Sequence, residues 1–144
     1  MHTVSQLLQE KGARVHTIDP DTTVLDAARL MNTERIGSLV VVNKGKVVGI
    51  FTERDLMRRV VAQEKNPGDT KVGQAMTTGV IAAGPHTSLD EVRAIMREKR
   101  IRHMPVIDDN EKLVGMLSIG DLNFAHEKTQ EETILYLEQY MYRP

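Results

Sequence analysis

Two octets of this sequence set a hydroxyl and a carboxylate three residues apart, in the same order and the same company. The first is Gly49-Ile50-Phe51-Thr52-Glu53-Arg54-Asp55-Leu56, and the second is Gly115-Met116-Leu117-Ser118-Ile119-Gly120-Asp121-Leu122. In each, an apolar run leads into the hydroxyl residue as a strand leads into a helix. Thr52 and Ser118 therefore stand at helix N-termini, where the first backbone N–H groups lack partners and the dipole favours an anion. Asp55 and Asp121 fall in the first helical turn. Two uses fit this spacing. Thr-x-x-Asp can form a capping box that serves only its own helix, or the junction can hold an anionic ligand. Arg54 bears on the choice, because a cation in a first turn is unfavourable by roughly 0.3–1 kcal/mol unless an anion joins it. A solvated surface arginine is the other reading. The second octet has Ile119 and Gly120 in place of Glu53 and Arg54. Gly120 permits close backbone approach but brings no charge, so the two sites are expected to be inequivalent.

The octets close two copies of a longer repeat. Aligning Val15–Leu56 with Val80–Leu122, with one extra residue at Asn110, gives twelve identical positions. They include Pro20/Pro85, Met31/Met96, Arg35/Arg100, Ile36/Ile101, Gly49/Gly115 and Asp55/Asp121. Upstream, Val4-x-Gln6-x-Leu8 is echoed by Val72-x-Gln74-x-Met76. Two copies are too few for a solenoid, so two half-domains packed face to face are expected.

Each copy reads β-α-β-β-α. In the first, Val4–Glu10 is helical and ends at Gly12, and Arg14–Ile18 alternates like a strand. Asp21 or Thr22 caps a helix over Val24–Thr33; Ile36–Val42 and Val47–Phe51 are strands joined at Asn43-Lys44-Gly45. The second copy predicts a strand near Val80–Ala82, a helix over Leu89–Lys99, and strands Met104–Ile107 and Leu113–Leu117 about a turn at Asp108–Asn110. From Asp121 to Met141 there is no Gly or Pro, and Ile134, Leu137 and Met141 share a helical face. The expected division is 1–62 for the first repeat with its N-terminal helix, 63–71 for a linker, 72–125 for the second repeat, and 126–144 for a C-terminal helix and tail.

Composition narrows the function. A chain of 144 residues with 40% hydrophobic and 27% charged residues is globular, and with only 3% aromatics its core must be aliphatic. The formal net charge of −1 argues against a nucleic-acid binder. Cysteine is absent, which removes disulfides, thiolate metal sites and cysteine nucleophiles. No apolar run exceeds four residues, too short for a membrane span or a secretory signal. The cytosol is the expected location.

A tandem β-α-β-β-α repeat closing on Gly-h-h-Thr/Ser-x-x-Asp-Leu resembles a pair of cystathionine β-synthase (CBS) domains, a Bateman module. The resemblance covers about Val4–Leu122, and Arg102-His103-Met104-Pro105-Val106 adds to it. It implies an α+β (α/β) module of two repeats related by a pseudo-two-fold axis, plus a C-terminal helix, with adenine nucleotides or adenosyl ligands held between the copies. By the same resemblance, Asp55 and Asp121 accept the ribose hydroxyls, while Thr52 and Ser118 contact ribose or phosphate. Arg102 and His103 are the expected phosphate partners from the second copy. Their first-copy counterparts are Gly37 and Ser38, so charge on that side must come from Arg54, Arg35 or Arg58. Arg35 and Arg100 are better read as cations at helix C-termini. The adenine slot is expected from Thr17 and Ile18 with Ile36 and Leu39, and from Val80 and Ile81 with Ile101 and Met104, beside Pro105. One or two cations per cleft favour AMP or NAD, with ADP, ATP or S-adenosylmethionine as further candidates. The expected assembly is a homodimer, with output through self-association or through an effector protein.

An enzyme is a weaker reading. The sequence lacks a Gly-x-x-x-x-Gly-Lys-Ser/Thr loop and a His-Glu-x-x-His signature, and its five histidines are scattered. A Ser118–His103–Asp121 grouping is explained more economically by sugar and phosphate contacts. The stronger competitor is an interaction module without a ligand, its Thr52 and Ser118 serving only as caps.

Overall fold

The computed structural model describes residues 2–125, 130–142 and 144. Its elements run α1 (Val4–Lys11), β1 (Thr17–Ile18), α2 (Val24–Glu34), β2 (Ser38–Asn43), β3 (Lys46–Thr52), α3 (Glu53–Asp55), a π-helical continuation (Leu56–Val61) and α4 (Val72–Ala75). The second half follows with α5 (Leu89–Lys99), β4 (His103–Ile107), β5 (Leu113–Ser118), α6 (Ile119–Phe124) and α7 (Gln130–Tyr140). Of the C-terminal helix expected from Asp121 to Met141, residues 126–129 lie outside the described residues.

The architecture is mixed α and β in two halves. β1 pairs parallel with β2, and β2 antiparallel with β3. In the second half β4 pairs antiparallel with β5. The β2–β3 turn places Lys44 and Gly45 at φ 52° and 78°, the two positive values that a tight right-twisted hairpin needs. Both hairpins carry a bulge at the same repeat position, Val41/Val42 and Val106/Ile107. Helix caps differ slightly from expectation. Thr23, not Asp21 or Thr22, caps α2 by accepting the Asp26 N–H at 3.1 Å, and Ser88 does the same for α5 through Glu91.

The first strand of each copy is shorter than its alternating pattern suggested. Only Thr17 and Ile18 pair in the first half. In the second, the strand expected at Val80–Ala82 does not form, and a single parallel rung, Ala83 with Val106, survives. Gly79 at φ 64° precedes that segment, and Gly84 and Pro85 follow it. Proline offers no ladder donor and alanine little strand preference, so pairing stops after one rung.

The helix leading into each copy packs on the other copy. Val4, Leu7 and Leu8 of α1 join the core of Leu89, Val92, Met96, Met104, Val106, Leu117 and Leu122. Val72 and Ala75 of α4 join that of Val24, Ala27, Met31, Leu39, Val41, Phe51 and Val60. Matching backbone bonds fasten both exchanges. Val4 N–H donates to Thr87 O at 2.9 Å and Leu89 N–H to His2 O at 2.9 Å; Val72 N–H donates to Thr22 O and Val24 N–H to Thr70 O, both at 2.8 Å.

This exchange explains the glycine that opens each octet. A Cβ on Gly49 would lie 2.5 Å from Met76 Sδ and 2.9 Å from the Thr77 carbonyl; on Gly115 it would lie 2.7 Å from Leu8 Cδ2. Leu8 can move aside, whereas the Thr77 carbonyl is fixed by its bridge to Ile50. Gly49→Ala is therefore expected to lower stability by about 1–3 kcal/mol, more than Gly115→Ala. Urea unfolding midpoints for the two variants give the comparison, and equal midpoints would contradict it.

Candidate functional site

Each octet ends its strand at the mouth of a cleft between the halves, and in both the cap geometry is complete. Thr52 Oγ1 accepts the Asp55 N–H at 3.3 Å while Asp55 Oδ2 accepts the Thr52 N–H at 3.0 Å. Ser118 Oγ accepts the Asp121 N–H at 3.1 Å, and Asp121 Oδ2 accepts the Ser118 N–H at 2.8 Å. The capping-box use of the spacing is thus real at both sites. The first N–H of each helix is also satisfied: Glu53 N–H donates to Gly37 O at 3.1 Å, and Ile119 N–H to Arg102 O at 2.9 Å.

The larger cleft, about 790 Å³, is walled by Thr52, Arg54, Asp55 and Thr77 from one side and by Ile101, Arg102, His103, Ser118 and Gly120 from the other. Asp55 is buried. Its Oδ1 accepts the Thr77 hydroxyl at 2.9 Å, and Arg59 Nε lies 3.9 Å away. Six cationic residues line this cleft, Arg54, Arg58, Arg59, Lys99, Arg100 and Arg102, against two acids, Glu53 and Asp55. The expectation of one or two cations per cleft does not hold here. Arg100 contributes in spite of its place as the left-handed C-cap of α5, and its carbonyl accepts Arg54 Nη1 at 3.3 Å.

The smaller cleft, about 290 Å³, joins Val15, His16, Ile36, Gly37 and Ser38 of the first copy to Met116, Ser118 and Asp121 of the second, with Lys11, Arg14 and Arg35 at its edge. Lys11 Nζ donates to Asp121 Oδ2 at 2.8 Å and to Met116 O at 2.6 Å. Each cleft therefore combines the strand-entry residues of one copy with the carboxylate of the other. Gly37, His103 and Ser118 line both.

Several expected residues lie elsewhere. Thr17, Ile18, Leu39, Val80, Ile81, Met104 and Pro105 line neither cleft. Leu39 and Met104 are wholly buried in the two cores, and Ile18 and Ile81 pack against them. Pro105 is buried in β4 with its carbonyl accepting Ala83 N–H, and Thr17 is exposed on the short edge strand. In the first copy the residues of this stretch that line a cleft are two positions earlier, Val15 and His16. Arg58 recurs one helical turn after Arg54, and Lys99-Arg100-Ile101-Arg102 is a visible basic run, so those cations carried a local signal. Thr77 and Lys11 carried none, since their partners are 22 and 110 residues away. Among the described residues no cluster could hold a metal ion, and no helix is long and apolar enough to cross a membrane.

Burial pushes the His103 imidazole below its ordinary 6.5; Glu53 and Asp121 pull it back up, and Arg102 adds to the lowering. A native pKa below the unfolded one means the unfolded chain takes the proton first as pH falls. Stability then decreases with falling pH from about 6.5 downward until the folded value is passed. His103→Gln is expected to flatten that part of the profile. Thermal melts of both proteins between pH 7.5 and 5 test this, and superimposable profiles would contradict it.

A duplicated α+β module with two inter-repeat clefts, each ending in a hydroxyl–carboxylate cap, is the class that fold and site define. The CBS domain family model matches residues 5–62 and 72–127, and the chain belongs to that family. It is 36% identical to the CBS domain-containing protein YhcV of Bacillus subtilis, over 83% of this chain and 84% of that one. Among solved structures, a CBS-domain-containing protein from Agrobacterium tumefaciens is 37% identical, with a TM-score of 0.82 covering 88% of this chain and all of the other (100%). A CBS domain pair solved in complex with 5-methylthioadenosine and S-adenosyl-L-methionine is 28% identical, with a TM-score of 0.77 over 88% of this chain and 98% of the other.

Proposed function

We propose that the chain is a regulatory adenosyl-ligand sensor whose large cleft binds a phosphorylated adenine nucleotide. The observation that carries this reading is a buried carboxylate, Asp55, on the wall of a 790 Å³ cleft lined by six cations and one further acid, Glu53. A ribose offers that carboxylate two hydroxyl donors in exchange for the Thr52 and Thr77 hydroxyls it accepts, and phosphates neutralise the arginines. The complex of a related CBS pair with adenosyl compounds supports the ligand class. Arg102 and His103 face the phosphates, and Thr52 and Gly120 lie beside the sugar. Coupling of about 1–3 kcal/mol between ligand and packing of the halves is enough for a switch.

Output passes through self-association or an effector protein. Met57, Val61 and Phe124 are exposed, as are Ile134, Leu137 and Met141 of the C-terminal segment, and these apolar groups suit a homodimer, visible as a doubled mass in light scattering. The specific competitor is a scaffold whose carboxylates only cap, favoured by the closed boxes at both sites. Thermal shift separates the two. AMP, ADP, ATP and NAD at about a hundred times their dissociation constant add about 2.7 kcal/mol of stability to a sensor and nothing to a scaffold.

A further inference from the structure

The two clefts offer the same carboxylate in different company, and this difference decides what each can accept. In the large cleft Arg58, Lys99, Arg100 and Arg102 make no ion pair among the described residues. Like charges converging on one cavity repel, and that repulsion falls with each negative charge a ligand brings. Arg59 Nε of the same copy lies 3.9 Å from Asp55, but the partner that reaches this carboxylate across the repeat, at hydrogen-bonding distance, is neutral, the Thr77 hydroxyl. A sugar hydroxyl replaces it like for like.

In the small cleft the partner reaching Asp121 across the repeat is a cation. Lys11 sits in the last turn of α1, whose Val4, Leu7 and Leu8 are buried in the second core, so the ammonium is delivered by a fixed element. It holds Asp121 Oδ2 and Met116 O together. Sugar hydroxyls would have to displace an ammonium and give up its ion pair with the carboxylate for hydrogen bonds from uncharged donors.

Resting on the sensor reading above, we infer that the clefts have different occupants. The large one takes an adenine nucleotide with two or more phosphates, and in the small one Lys11 holds the carboxylate that a second ligand would need. Lys11 is thus a selectivity residue, keeping the second carboxylate from a second ligand molecule.

Calorimetric titration of the full chain with adenosine, AMP, ADP and ATP, repeated on Lys11→Met and Lys11→Arg, tests this. The parent should take a single equivalent of ATP, with ADP and ATP binding about tenfold or more tighter than adenosine, as charge-assisted phosphate bonds require. Lys11→Met should gain a second equivalent, and Lys11→Arg should not. Lys11→Gln repeats the test if the Met variant does not fold. Two equal sites in the parent, equal affinity for adenosine and ATP, or a single site in the folded Lys11→Met or Lys11→Gln variant would each overturn the inference. No binding of any adenosyl compound by any variant would instead overturn the sensor reading, and this one with it.

Discussion

Asp55→Ala is expected to weaken nucleotide binding by about 10- to 150-fold, the loss of a charge-assisted hydrogen-bonding acceptor worth about 1.5–3 kcal/mol. The same variant should also lose stability. It removes the acceptor for the Thr52 N–H and for the Thr77 hydroxyl, and a lost cap of this kind costs about 0.5–2 kcal/mol. Binding and stability must therefore be separated. Asp55→Asn keeps one acceptor oxygen for the Thr52 N–H and turns its amide N–H toward the Thr77 hydroxyl oxygen while removing the charge, so it should bind poorly yet melt close to the parent. Calorimetry with ATP and urea denaturation on both variants provide the comparison. Unchanged affinity in both would reduce Asp55 to a cap.

Phe51→Ala is expected to cost about 3–5 kcal/mol, a large part of the 5–15 kcal/mol typical of a domain. Phe51 is wholly buried, and it is the largest side chain among the fully buried residues. It lies in β3 opposite Leu39, between Ile50 and Thr52. The surrounding Val24, Ala27, Met31 and Val60 are fixed on helices, so the cavity cannot readily collapse. Its consequence reaches the site, because β3 delivers Thr52 to the cleft. Denaturant midpoints measure the loss. A shift corresponding to less than 1 kcal/mol would mean that this core is not packed as described.

The elements with strong local patterns were legible in the sequence. The helix expected over Leu89–Lys99 is α5 to the residue, because its apolar positions Leu89, Val92 and Met96 fall on one stripe ahead of a left-handed cap at Arg100. The repeat also announced a strand-to-helix junction in each copy, and Thr52, Asp55, Ser118 and Asp121 line the clefts between the halves. What failed rests on pairing at a distance. A strand at Val80–Ala82 needs a neighbour along its length, and flanking Gly79, Gly84 and Pro85 leave it one rung. Leu39 and Met104, expected in the adenine slot, are wholly buried in the two cores, a placement that an apolar residue type alone does not distinguish. The exchange of α1 and α4, which brings Lys11 and Thr77 to the carboxylates, leaves no mark in either local segment. Only the duplicated Val-x-Gln pattern hinted that those helices were equivalent.

The most direct measurement is a crystal structure of the full chain grown with ATP. The account predicts the nucleotide in the large cleft, its ribose hydroxyls within hydrogen-bonding distance of Asp55 and its phosphates facing Arg102 and His103. An empty large cleft at saturating ATP, or a nucleotide bound away from Asp55, would contradict it.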